Sequence, residues 1–519
     1  MANASPVDRR GFLRGMAAMG GAVALGRAAE PATARPKDHG RSSILDAPAA
    51  QCPVDTIVVV MMENRSFDHH LGWLAGDEAY VEAGRRRYGH RFTVDGDQAI
   101  TYVTPDGLGV DTYHLPSSGG PNPWRGCGGH PDPGHGWDSG RIQRDHGFLA
   151  EGSGNDEFAI GYFAGDDLPF SNLVARNFTV FDRYFASVMT GTYPNRYYLH
   201  AAQGDGTING RLPGPDQLGF DFATIWDKLI AAGVPCRYYG TDLPVTGFWG
   251  TRLLPITTSV AQFFLDAAAG TLPNVVFVDP GFLSGMRTDD HPHGDTRTGQ
   301  AFMASIAGAL MRGPQWERSA LIVTYDEWGG FFDHVPPPVL PDDRASVDDL
   351  QNWGQTGFRL PVYLASPYAR PGYVDHRTYD HTSVLRLIQW RFLGAPAEGP
   401  TGSGWWLTSR DRAANNIGAS LAPERVNDFV LQLGDVPVVL SAPCQGQAFQ
   451  DVPVLVDAED QIDPPLRDAG VDLDPITGQL RDVLVIPPDH QLGEAAEPFA
   501  AMGFSVEPQL TLADLLSEA

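Results

Sequence analysis

Positive charge is what this chain has least of. Against 63 aspartates and glutamates stand 37 lysines and arginines, a formal net charge of −26 over 519 residues. General nucleic-acid binding needs a positive field, so that class is excluded, as is electrostatic docking on anionic lipid. A small anionic substrate is not excluded, because a bound metal ion reverses the field inside a cleft. Cysteine is scarce as well. Cys52, Cys127, Cys236 and Cys444 complete the set, and no two of them form a C-x-x-C pair. A zinc–thiolate cluster is therefore excluded. Three disulfide pairings are open to an exported chain, and the sequence does not choose among them. The apolar run at residues 15–25 is too short and too glycine-rich for a stable membrane span. Internal repeats and low-complexity blocks are absent.

What is present begins with Asp8-Arg9-Arg10-Gly11-Phe12-Leu13-Arg14, just before that run. Paired arginines ahead of a short apolar segment read as a twin-arginine export signal, so periplasmic or secreted localisation through the twin-arginine export machinery is expected. Small-residue cleavage sites occur at Ala22-Val23-Ala24 and Ala32-Thr33-Ala34. Residues 1–45 then form signal and linker. From 46 to 435, buried-strand runs alternate with helical stretches, which predicts an α/β domain. Strands are expected at 56–62, 178–181, 236–239, 274–278, 320–325 and 360–365. Helices are expected at 222–232, 260–268, 297–311 and 382–392. A long insertion rich in Gly, Pro, Asp and His spans 73–172, and such insertions are usually functional. Residues 436–519, acidic and proline-rich, read as a small C-terminal extension.

Two strand runs end in oxygen-bearing side chains. Thr56 to Met62 is followed by Glu63-Asn64, and Leu321 to Tyr325 by Asp326-Glu327-Trp328-Gly329-Gly330. Active sites of open α/β sheets lie at the carboxyl ends of the strands. Two carboxylates, an amide and a third acid suit one hard or borderline divalent ion. Neighbours on an extended strand point to opposite faces, so Asp326 and Glu327 share an ion only if the chain turns there; Gly329 and Gly330 permit that turn. Thr190-Gly191-Thr192-Tyr193-Pro194-Asn195-Arg196 offers a hydroxyl beside glycine in a proline-stiffened turn, a nucleophile if a metal lowers its pKa. His130, His135, His291, His293, His334 and His381 all lie in polar loops, where imidazoles protonate leaving groups or bind phosphoryl oxygens.

Taken together, Met62-Glu63-Asn64-Arg65-Ser66-Phe67-Asp68, Thr192-Tyr193-Pro194-Asn195-Arg196, Asp290-His291-Pro292, Tyr325-Asp326-Glu327-Trp328-Gly329-Gly330 through Pro337, and Tyr379-Asp380-His381-Thr382-Ser383 resemble the bacterial phosphoesterase family. That family contains phosphatidylcholine-type phospholipases C and a periplasmic acid phosphatase. The resemblance spans about residues 52 to 395 and implies an alkaline phosphatase-like fold, a three-layer αβα sandwich around a mostly parallel sheet. It implies Glu63, Asn64, Asp326 and Glu327 as ligands of one divalent metal ion, with Thr192 as the nucleophile and a further ligand of that ion. His135, in Pro133-Gly134-His135-Gly136-Trp137, and His291 and His334 match catalytic histidines. The family commonly has Gly-Pro-Thr where this chain has Thr190-Gly191-Thr192, which makes Thr190 a competing nucleophile. The tail is too short for a pair of β-sandwiches of about 100 residues each, as in the larger phospholipases. The expectation is thus an exported, metal-dependent phosphoric ester hydrolase working through a phosphothreonine. Its substrate would be a small phosphoester, acid phosphatase-like, or alternatively a phospholipid head group cleaved as a phospholipase C does. A sulfatase is disfavoured by the lack of a Cys-x-Pro-x-Arg block. Another alternative is a non-catalytic secreted binding protein on the same scaffold. The ligands leave the metal open among calcium, magnesium, manganese, zinc and iron.

Overall fold

Thr56–Met62 and Ser319–Tyr325 carry apolar side chains in succession, without the alternation of a half-exposed strand. Such runs are stable only with both faces covered. In the computed structural model of the chain they are the central pair of an eight-stranded sheet, buried along their whole length. The structure describes residues 41–208, 219–242, 244–282, 287–346, 352–399, 402, 404–432, 434–440, 444 and 506–508. The sheet comprises β1 (Thr56–Met62), β2 (Thr179–Phe181), β3 (Cys236–Gly240), β4 (Thr257–Ser259), β5 (Val275–Asp279), β6 (Ser319–Tyr325), β7 (Tyr363–Ala365) and β8 (Tyr373–Asp375). Its spatial order is β8-β2-β7-β6-β1-β5-β3-β4. Neighbours run parallel except around β7, which is antiparallel to both β6 and β2.

The main helices are α1 (Phe67–Leu71), α2 (Pro169–Asn177), α3 (Thr192–Ala201), α4 (Ile225–Ala231), α5 (Val260–Ala269), α6 (Thr296–Arg312) and α7 (Thr382–Leu393). Helix α6 packs on both α2 and α5, and α3, α4 and α7 pack on one another. With the sheet these two groups make the three layers of the expected sandwich. Helix α6 illustrates how sequence sets an element. Asp295 caps it, accepting from Arg297 N at 3.0 Å. Phe302, Met303, Ile306 and Leu310 then fall on one buried face at helical spacing.

Expected and observed boundaries agree within a few residues for the six strands and four helices anticipated. Two strands had no sequence signal: β4 and β8 have three residues each and lie at the sheet's two edges. One expectation is corrected. Residues 192–196 are not a turn but the first turns of α3, where Pro194 fits because a first-turn residue needs no amide hydrogen bond. The insertion at 73–172 is more regular than its composition suggests, with helices at Glu78–Tyr88 and Trp137–His146 and a hairpin pairing Thr101–Val103 with Gly109–Asp111. Cys127 and Cys444 form a disulfide, tying this insertion to the C-terminal segment, while Cys52 and Cys236 are free thiols. The export signal at residues 1–40, and the C-terminal extension apart from 436–440, 444 and 506–508, lie outside the described residues. Among the described residues no helix is long and apolar enough to cross a membrane.

Ile322, fully buried in β6, tests the layer arrangement. Ile322→Ala is predicted to lower unfolding free energy by about 2–5 kcal/mol in urea titrations. A loss below about 0.5 kcal/mol, typical of surface sites, would contradict the central position.

Candidate active site

The register of the central pair creates the site. Met62 of β1 stands opposite Tyr325 of β6, so Glu63 and Asp326 leave the sheet side by side. Backbone bonds lace the two exits together. Asp326 N donates to Met62 O at 3.0 Å and Arg65 N to Glu327 O at 3.1 Å. Asn64 adopts a left-handed conformation, φ 58°, and its N donates to Asp326 Oδ1 at 3.1 Å. The turn required after β6 is present: Gly329 and Gly330 have φ of 62° and 70°, and Gly329 N donates to Glu327 Oε2 at 2.7 Å. A Cβ on Gly329 would lie 2.2 Å from Asn64 O, so only glycine allows this approach.

Four side chains at these exits carry buried oxygens without a hydrogen-bond donor: Glu63 Oε1 and Oε2, Asn64 Oδ1, Asp326 Oδ2 and Glu327 Oε1. Arg196 is the nearest cation, with guanidinium nitrogens 3.1 Å from Glu63 Oε1, 3.5 Å from Asp326 Oδ2 and 3.2 Å from Asp279 Oδ1. Its approach to Glu63 and Asp326 is an ion-pair contact without hydrogen-bond geometry, which leaves their oxygens available. Burial pushes the Glu63 and Glu327 carboxyls well above the ordinary range and that of Asp326 upward too; Arg196 opposes this at Glu63 and Asp326, and His135 opposes it at Glu327. Uncompensated buried carboxylates are costly, and a divalent ion among all-oxygen donors offsets that cost. The residues present fit such an ion.

Thr192 is the first residue of α3, and Arg196 lies one turn further along the same helix face. The segment before it is knotted by Asn195. Its Nδ2 donates to the carbonyls of Val188, Thr190 and Gly191, and its Oδ1 accepts from Val188 N. Thr190 is fully buried and its hydroxyl donates to Ile208 O, whereas Thr192 keeps 9% of its surface exposed. Between the two hydroxyls, Thr190 is committed to the fold.

His135 and His291 approach the carboxylates. His135 Nε2 lies 4.0 Å from Glu327 Oε1, and His291 Nε2 lies 3.7 Å from Asp132 Oδ2. The donor atoms of Asp132, His135 and His291 lie within 4.8 Å of one another, a group that could hold a metal ion. His334 is held elsewhere. Its Nδ1 meets Asp68 Oδ2 at 2.5 Å and its Nε2 meets Asp95 Oδ1 at 3.1 Å, so both ring nitrogens are engaged by carboxylates. Burial opposes its charge, but those two partners outweigh burial and raise its pKa to about 10. Arg359, which pairs with Asp68 and Asp333, completes that cluster. His130 pairs with Asp156, and His293 bonds to Arg125 O.

Three contributors had a sequence signal without an assigned role. Arg196 closes the Pro194-Asn195-Arg196 block. Asp132 sits three residues before His135. His381 bonds through Nε2 to Asp326 O at 2.7 Å, bracing the residue where β6 leaves extended geometry. Burial keeps His381 neutral at ordinary pH, lowering its pKa to about 4.

A sheet whose central strands deliver such oxygens at their carboxyl ends defines a class of hydrolytic centre. The chain belongs to the Phosphoesterase family, which matches residues 54–393. It is a phosphoric ester hydrolase. Among its relatives, non-specific phospholipase C1 of Arabidopsis thaliana is 32% identical over 376 residues, 65% of this chain and 67% of that protein. Phospholipase C B of Mycobacterium tuberculosis is 32% identical over 405 residues, 67% of this chain and 76% of its own length. Non-hemolytic phospholipase C of Burkholderia pseudomallei is 28% identical over 453 residues, 74% of this chain but 61% of that protein. Among solved structures, a Vibrio parahaemolyticus protein of the alkaline phosphatase superfamily overlaps 69% of this chain and 73% of its own at 7% identity, with a TM-score of 0.30, too low to carry an argument.

Two outcomes test this geometry. Gly329→Ala is predicted to abolish turnover while the protein stays folded by circular dichroism, since the clash falls on Asn64; wild-type turnover would contradict the close approach. For His334, a folded-state pKa raised from 6.5 to about 10 means its charge stabilises the fold fully below pH 6.5 and ceases to do so as pH rises through about 10. The stability difference between wild type and His334→Gln should therefore shrink across that window in urea titrations at successive pH values. A difference that grew with pH would invert the assignment.

Proposed function

We propose that the chain cleaves phosphodiesters in the manner of a phospholipase C, with Thr192 as nucleophile. The observation that carries the hydrolytic centre is the set of donorless buried oxygens on Glu63, Asn64, Asp326 and Glu327, with Thr192 one helical turn from the guanidinium that pairs with two of them. In this reading those four side chains hold a divalent ion, which when bound lowers the pKa of a nearby hydroxyl and disperses charge on phosphoryl oxygens. Thr192 Oγ1 attacks phosphorus in line. Its bond to phosphorus forms as the ester bond to the leaving alcohol breaks. Water then breaks the threonine–phosphorus bond, releases the phosphomonoester and restores the hydroxyl.

Asn195 fixes the loop ahead of the nucleophile, and His381 fixes Asp326. His334 spends both ring nitrogens on carboxylates, so the proton for the leaving oxygen falls to His135 or His291, whose Nε2 atoms lie beside Glu327 and Asp132. The relatives support a diester over the acid phosphatase-like monoester that the sequence favours. The curated relatives quoted above are phospholipases C.

Activity on p-nitrophenyl phosphorylcholine should exceed that on p-nitrophenyl phosphate in kcat/KM by roughly 10-fold or more, about 1.4 kcal/mol. The reverse order would select the monoesterase. Thr192→Val should lose several orders of magnitude in kcat on either ester with unchanged circular dichroism. Turnover near wild type would remove Thr192 from the mechanism.

A further inference from the structure

We propose, on the threonine-nucleophile reading given above, that Asp290 is a positioning residue for His291 and that this makes His291, rather than His135, the donor of the leaving oxygen's proton. Asp290 lies between β5 and α6, on a stretch bonded to both exits of the central strand pair. Glu63 N donates to Asp289 O at 2.7 Å. Arg65, two residues past Glu63, donates to Asp290 O from Nε at 2.9 Å and from Nη2 at 2.6 Å. Tyr325, the last residue of β6, donates its hydroxyl to Asp290 Oδ2 at 2.7 Å. His291 N in turn donates to Asp289 Oδ1 at 3.2 Å.

The backbone here needs that support. Asp290 is buried and has φ 76°, in the left-handed region that costs energy for any residue but glycine. Its Oδ1 has no hydrogen-bond donor and fills the space where a side chain on Gly299 would begin. A buried carboxylate beside a buried arginine is a poor route to stability, since such pairs do no better than apolar packing. Strain of this kind gathers where one geometry has to be held. The geometry held here is that of the next residue. Arg65 adjoins Asn64 and Tyr325 adjoins Asp326, so His291 is tied to the two points from which the four oxygens emerge. Its Nδ1 bonds to Pro292 O, which fixes the rotation of the ring.

His135 is placed differently. Its Nε2 faces Glu327 Oε1 at 4.0 Å, so a proton there is drawn to a member of the four-oxygen set. His291 Nε2 faces Asp132, outside that set, at 3.7 Å. As the ester bond breaks, its electron pair stays on the leaving oxygen, which takes the proton from His291 Nε2. The water that later attacks phosphorus gives a proton back to that nitrogen. Misplacing a transferring group by about 1 Å costs on the order of 100-fold in rate.

Values of kcat/KM for phenyl and p-nitrophenyl phosphorylcholine test this assignment. Nitrophenolate leaves readily without a proton and phenolate does not, so the phenyl ester depends far more on the donor. Asp290→Ala, and the milder Tyr325→Phe, should lower kcat/KM roughly 10-fold or more on the phenyl ester and less than about 3-fold on the nitrophenyl ester. Neither change should cost anything further in a His291→Gln background, whereas in a His135→Gln background the loss should persist in full. Equal losses on both esters, a full further loss in His291→Gln, or a loss that vanished in His135→Gln would overturn the proposal. Tyr325→Phe keeps the ring and removes only the hydroxyl on Asp290, so the comparison stands if Asp290→Ala does not fold. A wild type that prefers monoesters would correct the diester reading alone, and the same ratios would then be read on phenyl and p-nitrophenyl phosphate.

Discussion

Met62 faces Tyr325 across a parallel pair, and the chemistry of the molecule depends on that register. Parallel strands end at the same side of a sheet, so two strands far apart in sequence release their next residues into one crevice. A shift of one residue would turn every side chain of β1 to the opposite layer and send Glu63 away from Asp326. Continuous burial on both faces keeps the register from slipping, because each layer has its own set of side chains to satisfy. The specificity of the core and that of the site are thus one property.

The same exits gather charge where water is scarce. Arg196 is braced from several sides, by Asp279 at the end of β5 as well as by Glu63 and Asp326, so it acts as a permanent counter-ion that the helix carries into place. One guanidinium does not balance those acids together with Glu327, and the remainder of the negative charge is what a divalent cation is suited to meet. The second charge cluster, Asp68, Asp95, Asp333, His334 and Arg359, has its own internal cations. It is therefore self-contained and reads as a strut under the loop that follows Glu327.

Much of this was legible in residues. The central strands announced themselves because both-face burial demands uninterrupted apolar runs, and the acids at their ends stood out against those runs. The glycine pair predicted where extended geometry fails. Other features were silent for physical reasons. β4 and β8 draw their order from neighbours rather than from any pattern of their own. The helical state of Thr192–Ala201 was masked by Pro194, whose first-turn tolerance only the fold reveals. His334 looked equivalent to His135 and His291 on paper. What distinguishes it is the arrival of Asp68 and Asp95 from distant segments, and no local spacing encodes that.

The cross-link between Cys127 and Cys444 has a consequence for the order of events during biosynthesis. Residue 444 is translated well after the last strand of the main sheet, which ends at Asp375. The loop bearing Asp132 and His135 lies just beyond Cys127, so it receives its covalent anchor only after the sheet's whole sequence exists. Sulfur oxidation is confined largely to compartments outside the cytosol. In a reducing compartment this flank of the site therefore stays untied, and its tightening depends on oxidising surroundings as well as on the completed chain.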